Sequence, residues 1–288
     1  MNKKTKGILL LLVTSLIWGL AFIFQSAAAE SINAFLFNGL RFIIGSICFI
    51  PLLYKYKIRF NRRTILIGFI TGLFVFGGMN LQQYGLQFIE ASKAGFLTTI
   101  YLIIVPAINY ILFKEKTTSR VVISAIIVLV GIFFLTNANS GLEYGDLVII
   151  GSSLFFALQI VFINQFGQQC DIYLFSFTQY LTVGIISLVV STLTNSFSLE
   201  SIYNARISLI YTGILSTAVA YTFQTVGQKH IEPTVASIIL SFESVFAAIG
   251  GVVLLNESLT VNEIFGCLLM FIGLIYSQIK KRKTSFLW

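Results

Sequence analysis

Shifted by 142 positions, residues 232–273 lie without a gap on residues 90–131. Glu232 falls on Glu90, Ala236 on Ala94, Glu257 on Glu115, Thr260 on Thr118 and Gly273 on Gly131. Leu, Ile and Val coincide easily by chance, so the weight rests on the acidic, turn and glycine positions at the ends of the apolar runs. Just upstream, Gln224 meets Gln82, Gly227 meets Gly85 and Ile231 meets Ile89. Near the N-terminus a shift of 138 sets Gly7, Ser15 and Leu16 on Gly145, Ser153 and Leu154. The same shift sets Leu36 and Phe37 on Leu174 and Phe175, with Arg41 opposite Gln179. A chain written twice is expected to fold as two related units.

The units are apolar. With 57% hydrophobic and 10% charged residues and a mean hydropathy of +0.90, the 288 residues have too little polar surface to cover a water-soluble globule. The runs are too long for the roughly ten-residue alternating strands of a membrane barrel, and suit helices of about 20 residues. They read as 7–24, 34–54, 64–81, 91–113 and 121–136, then 146–166, 172–193, 207–225, 234–255 and 263–279. The expectation is an all-α membrane protein of ten transmembrane helices. It divides into repeats at 1–139 and 140–288, the second carrying a basic tail. Small residues at 26–29 resemble a signal-peptide cleavage site. The internal counterpart of residues 7–16 predicts that the first segment is retained.

The net charge of +8 does not point to nucleic acid, because the basic residues collect in short loops rather than one solvated patch. Sixteen of the nineteen Lys and Arg fall on one side if the N-terminus is cytoplasmic. Lys93 and Arg206 fall outside, and Arg41 lies within a span. The positive-inside rule therefore predicts both termini in the cytoplasm of a plasma-membrane protein. Five spans per half make the second half enter the bilayer upside down, a design that can open alternately to either face. Cys48, Cys170 and Cys267 stand singly without CxxC spacing and read as structural thiols rather than a disulfide or metal set.

Trp18-Gly19, Arg41-Phe42, and Pro106 followed by Lys114-Glu115 mark the first repeat. The run 242–248 (FESVFAA), the run 256–260 (NESLT), Gly266 and Gly273 mark the second. On these residues the chain resembles the drug/metabolite transporter superfamily, specifically EamA-type members built from two EamA repeats. The resemblance covers essentially the whole chain and implies traffic of amino acids, nucleosides, sugars or other metabolites, often outward. It also implies a cargo site near the bilayer midplane. Where the family usually has Pro after the matched glutamate, this chain has Ser244, which leaves open whether the ninth helix bends.

Glu243 lies about nine residues into an apolar run, where an ionised carboxylate costs ~3 kcal/mol or more, so it is expected to face the interior. It could bind a cationic group or carry a proton; equally, it could pair with Arg41 or accept hydrogen bonds from a neighbouring helix. Arg41, too deep for easy snorkelling, reads as structural or gating, with carboxylate recognition as the alternative. Glu115 and Glu257 close helices and read as anchors of the following loop. Glu90 and Glu232 stand at helix starts and read as caps. Trp18, Tyr84, Tyr101 and Tyr221, with the amides Asn80, Gln82, Gln83, Gln159 and Gln224, as a group sketch a neutral, aromatic cavity between the halves, while any one of them taken singly reads as glue between helices. His230, beside Lys229, reads as solvated.

No GxGxxG, P-loop, HExxH or paired-cysteine site occurs, so neither a cofactor nor a metal is expected. The reading is a secondary transporter, an exporter of a small organic metabolite or drug, with a proton as a candidate coupling ion. An uncoupled facilitator is the alternative. A membrane-embedded enzyme would need a nucleophile with a base, or a metal cluster, inside the spans.

Overall fold

A computed structural model describes residues 2–135, 143–255 and 260–278, and every regular element among them is helical. The first half comprises α1 (Lys3–Ala29), α2 (Ala34–Ile47), α3 (Ile50–Lys55), α4 (Arg62–Gly85), α5 (Ala91–Thr98), α6 (Tyr101–Phe113) and α7 (Ser119–Leu135). The second comprises α8 (Tyr144–Phe166), α9 (Ile172–Leu193), α10 (Leu199–Asn204), α11 (Arg206–Ile210), a π-helix (Tyr211–Ala220), α12 (Tyr221–Gln228), α13 (Pro233–Leu240), α14 (Glu243–Leu255) and α15 (Val261–Gln278).

Seven stretches among the described residues are long and apolar enough to cross a membrane: Lys3–Ala29, Ala34–Lys55, Arg62–Gly85, Lys93–Phe113, Tyr144–Gln169, Ile172–Leu193 and Pro233–Leu254. Ser119–Gly131 and Ile264–Ser277 are shorter apolar helices. The run read from the sequence as 207–225 is divided among α11, the π-helix and α12, so length does not establish the expected ten spans.

Helix starts follow ordinary capping chemistry. Asn33 accepts from Phe35 N at 2.9 Å, and Asn61 from Arg63 N at 2.9 Å. Asp171 accepts from Tyr173 N and Leu174 N, each at 3.0 Å. Glu90 and Glu232 occupy N-cap positions but make no side-chain cap bond and stay exposed, which corrects the capping expectation. The longer Glu side chain suits that geometry less well than Asp or Asn.

Packing between elements comes in sets that exchange when the halves are swapped. α1 packs on the π-helix and α12 as α8 packs on α4; α1 packs on α14 as α8 packs on α6; α2 pairs with α9, and α7 with α15. Glycines set the closest approaches at equivalent places. A Cβ on Gly7 would lie 2.8 Å from Gly227 O, and one on Gly145 would lie 2.8 Å from Phe88 Cβ and 3.4 Å from Gly85 O. Likewise a Cβ on Gly131 would meet Gly266 O at 2.7 Å, and one on Gly273 would meet Ser124 O at 3.0 Å. Each pair maps onto the other through the 138- and 142-residue shifts.

Two helices are interrupted at equivalent points. Between α5 and α6, and again between α13 and α14, the backbone tightens to i→i−3 bonds: Ile100 N to Leu97 O at 3.2 Å, and Phe242 N to Ile239 O at 3.3 Å. Hydroxyls compete for the carbonyls there: Thr99 Oγ1 donates to Phe96 O at 2.7 Å, Ser241 Oγ to Ile238 O at 2.8 Å and Ser244 Oγ to Ser241 O at 2.8 Å. Such back-bonding bends helices without proline, so the ninth segment breaks despite Ser244. The residues that resume the helix are Tyr101 and Glu243.

The π-helix marks where the repeat is out of step. Gly72 approaches Gln179 O as Gly213 approaches Arg41 O, yet Met79 lies seven residues beyond Gly72 and Tyr221 eight beyond Gly213. The extra residue is absorbed by the wider turn.

Candidate functional site

Tyr101 Oη donates to Glu243 Oε1 at 3.2 Å, across the separation of the repeat: the two residues stand 142 apart and occupy equivalent positions. Both lie against one buried cavity. Its walls include five further equivalent pairs: Trp18 with Phe156, Phe22 with Ile160, Met79 with Tyr221, Gln82 with Gln224, and Thr98 with Leu240. Only Gln25, Arg41, Gln159 and Ser216 line it without their counterparts. The cavity therefore sits where the two halves face each other, with equivalent positions on opposite walls, although only Gln82 and Gln224 keep the same side chain.

Glu243 is 4% exposed. It opens α14, where the first-turn N–H groups favour a carboxylate. Gly19 lets α1 close on it, since a Cβ there would come within 2.6 Å of Glu243 O. That is the local reason for a glycine after Trp18. The Trp18 indole donates to Ser216 O at 3.1 Å, and its ring meets Tyr221 edge-on at 4.7 Å between centroids.

Arg41 does not pair with Glu243. Its guanidinium, fully buried, donates to Gln25 Oε1 at 2.8 Å, Ser216 Oγ at 2.8 Å and Thr217 Oγ1 at 3.4 Å, beside the rings of Phe37 and Phe42. Three acceptors from two other elements hold a planar fork in place. The π-helix supplies two of them. Gln159 and Gln224 form a reciprocal amide pair, 2.9 Å one way and 3.0 Å the other.

Three residues expected at the cavity are elsewhere. Gln83 is buried and donates to Gln25 O at 2.8 Å. Asn80 is buried in a seam where it donates to Phe76 O and Ser187 Oγ and accepts from Asn38. Tyr84 is 40% exposed and packs on Phe88 and Tyr144. One position along α4 from Met79 turns a side chain about 100° away. Glu115 accepts from Asn109 Nδ2 at 3.2 Å and ties the chain after α6 back to that helix, whose end is the left-handed Lys114. Glu257 lies outside the described residues. His230 is exposed, and the cysteines form no disulfide. No group of three or more metal-ligating side chains occurs among the described residues.

Sequence reasoning did not single out Phe22, Gln25, Met79, Thr98, Phe156, Ile160, Ser216 or Leu240. For Phe156 and Met79 the signal was present, because the repeat shifts carry Trp18 and Tyr221 onto them; Phe22 and Ile160, and Thr98 and Leu240, map only onto each other. Gln25 and Ser216 carry no such signal.

The cavity has a volume of about 30 Å³, room for about two waters. An organic cargo of even a few heavy atoms requires the walls to part.

The family model of EamA-like transporters matches the chain twice, over residues 5–137 and 143–277. An uncharacterized transporter of Archaeoglobus fulgidus is 29% identical over 270 residues, covering 94% of this chain and 85% of its own. The uncharacterized transporter YoaV of Bacillus subtilis is 26% identical over 281 residues, covering 93% and 95%. A solved crystal structure, 17% identical, superposes with a TM-score of 0.80 over 95% of this chain and 96% of its own, a likeness of fold. The repeat seen in the sequence, the exchange of packing between the halves and the double match agree: the chain belongs to the EamA-like transporter family.

Proposed function

We propose that this transporter is a secondary carrier that moves a small organic metabolite or drug by alternating access, as an exporter in the plasma membrane with both termini cytoplasmic. In this reading residues 1–139 and 140–288 are inverted repeats of five spans each. The observation that carries it is the cavity lined by repeat-equivalent pairs. A site on the axis relating two inverted halves meets the same walls whichever face is open. The interrupted helices support it, because broken helices in corresponding positions of two repeats mark the binding region of such carriers.

Cargo would contact Trp18, Tyr101, Gln159, Tyr221, Gln224 and Glu243, with Arg41 setting the opposite charge. Aromatic faces and amides suit a compact, partly polar molecule. Glu243, fixed by Tyr101, is the candidate carrier of a coupling proton.

The test is transport by the purified full chain in proteoliposomes. Amino acids, nucleosides and cationic toxins are offered with and without an imposed proton gradient. Uphill movement of one class driven by the gradient is the expected result. Movement of a class only down its own gradient would leave an uncoupled facilitator, and no movement of any class would remove the reading.

A further inference from the structure

The exchange-related packing couples two pairs of cavity-lining helices. α1 is zipped to α12 at Gly7 and Gly227, and α4 to α8 at Gly85 and Gly145. Across the cavity α1 meets α4, and α8 meets α12, only lightly, while α5 and α13 pack against both pairs.

At each of those light crossings a glutamine spans the gap. Gln83 Nε2 donates to Gln25 O at 2.8 Å, joining α4 to α1. The Gln159–Gln224 amide pair joins α8 to α12. The crossings lie at opposite ends of the bundle. Gln224 is one turn from Gly227, which packs on Gly7, and Asn164, further along α8 from Gln159, donates to Ile231 O at 2.8 Å. Gln83 is two residues from Gly85, which packs beside Gly145.

Resting on the alternating-access reading, we propose that the Gln25–Gln83 and Gln159–Gln224 bridges are the two gates of the pathway. Rocking the α1/α12 body against the α4/α8 body breaks one bridge while the other stays closed.

The gates are not equal. In the Gln159–Gln224 pair each amide both donates and accepts. At the other end the counterpart of Gln159 is Ala21, which cannot clasp Gln82, and Gln82 turns instead to Thr98 Oγ1 at 3.0 Å. The Gln83 bridge is a single bond to a backbone carbonyl, and Gln83 Oε1 is left without a partner among the described residues. Beyond that bridge an open recess of about 360 Å³ runs along the same two chain segments, lined by Ser26, Ala29, Glu30 and residues 86–90. The Gln83 end is the gate that opens more readily.

The test uses the full chain with Cys48, Cys170 and Cys267 replaced by Ala and one reporter, Leu240→Cys, in sealed vesicles of both orientations. A membrane-impermeant maleimide is applied from one face at a time. The reporter should label faster from the Gln83 face. Gln159→Ala should raise labelling from the Gln224 face at least about fivefold, the population shift from losing the two hydrogen bonds of the pair. Gln83→Ala should raise it from the opposite face only. If Gln159→Ala does not fold, Gln159→Asn, too short to reach Gln224, gives the same expectation. Labelling that alternates with conditions but ignores both substitutions would overturn the gate assignment alone. A reporter equally open to both faces at once in the starting protein would instead remove alternating access.

Discussion

The Tyr101 hydroxyl and the Glu243 carboxylate are each other's counterparts in the repeat, and they meet at 3.2 Å in the cavity between the halves. A duplicated chain placed the same position twice, and the pair now carries different chemistry: a neutral donor on one side, an acid on the other. Removing the donor while keeping the ring isolates its role. Tyr101→Phe is expected to cost about 1–2 kcal/mol in thermal unfolding and to reduce transport more than that loss of fold explains. A double-mutant cycle with Glu243→Gln should show the two effects to be coupled. Additive effects would mean that the phenol does not position the acid.

Arg41 is held by Gln25, Ser216 and Thr217 at once, through three different guanidinium nitrogens. A lysine keeps the charge but cannot present that fork. Arg41→Lys should therefore unfold several degrees below the parent and transport poorly, as measured by melting in detergent and by flux in proteoliposomes. A lysine variant with parent-like melting and flux would reduce Arg41 to a source of charge.

The glycine seams give a stability contrast that needs no cargo. A Cβ on Gly227 would lie 2.9 Å from Leu11 Cγ and 3.0 Å from Gly7 O, whereas one on Gly151 would meet nothing nearer than Leu81 Cδ1 at 3.9 Å. Gly227→Ala should be destabilised by about 1–3 kcal/mol through overpacking, and Gly151→Ala should be neutral or slightly stabilised by the better helix propensity. Equal melting points for the two would contradict the close approach of α1 and α12.

Ser244 stands in the first turn of α14, where proline is tolerated. The break before it is already made by hydroxyl back-bonding at Ser241 and Ser244. Ser244→Pro is thus expected to fold and to transport within about twofold of the parent, at the cost of one weak backbone bond of about 1 kcal/mol. Loss of folding would show that the serine hydroxyl, rather than the bend, is what this position requires.

Much of this was legible because duplication leaves marks that apolar composition does not erase. Gly7 with Gly145 and Gly85 with Gly227 are readable as repeats, and they are the residues that zip α1 to α12 and α4 to α8. Trp18, Tyr101, Gln159, Tyr221, Gln224 and Glu243 stood out as polar-tipped side chains within apolar runs. The face each presents was less legible. Polar and apolar residues are spread around α4 without a polar face, so its pattern does not separate Met79, which lines the cavity, from Asn80 and Tyr84, which do not. The π-helix was hidden for a related reason: one extra residue in a continuous apolar run leaves no mark until its carbonyl and hydroxyl partners, Trp18 and Arg41, are in place. Interior charge invites pairing, yet Arg41 found neutral oxygens nearer than Glu243.

The cavity at Tyr101 and Glu243 is the proposed place where cargo is carried. Glu243→Gln keeps the shape and an acceptor oxygen while removing the charge. Its gradient-driven transport, measured in proteoliposomes on the cargo found by the screen, should fall at least about tenfold, equivalent to 1.4 kcal/mol, with melting at or above that of the parent. Full transport with an unchanged response to the proton gradient would contradict it.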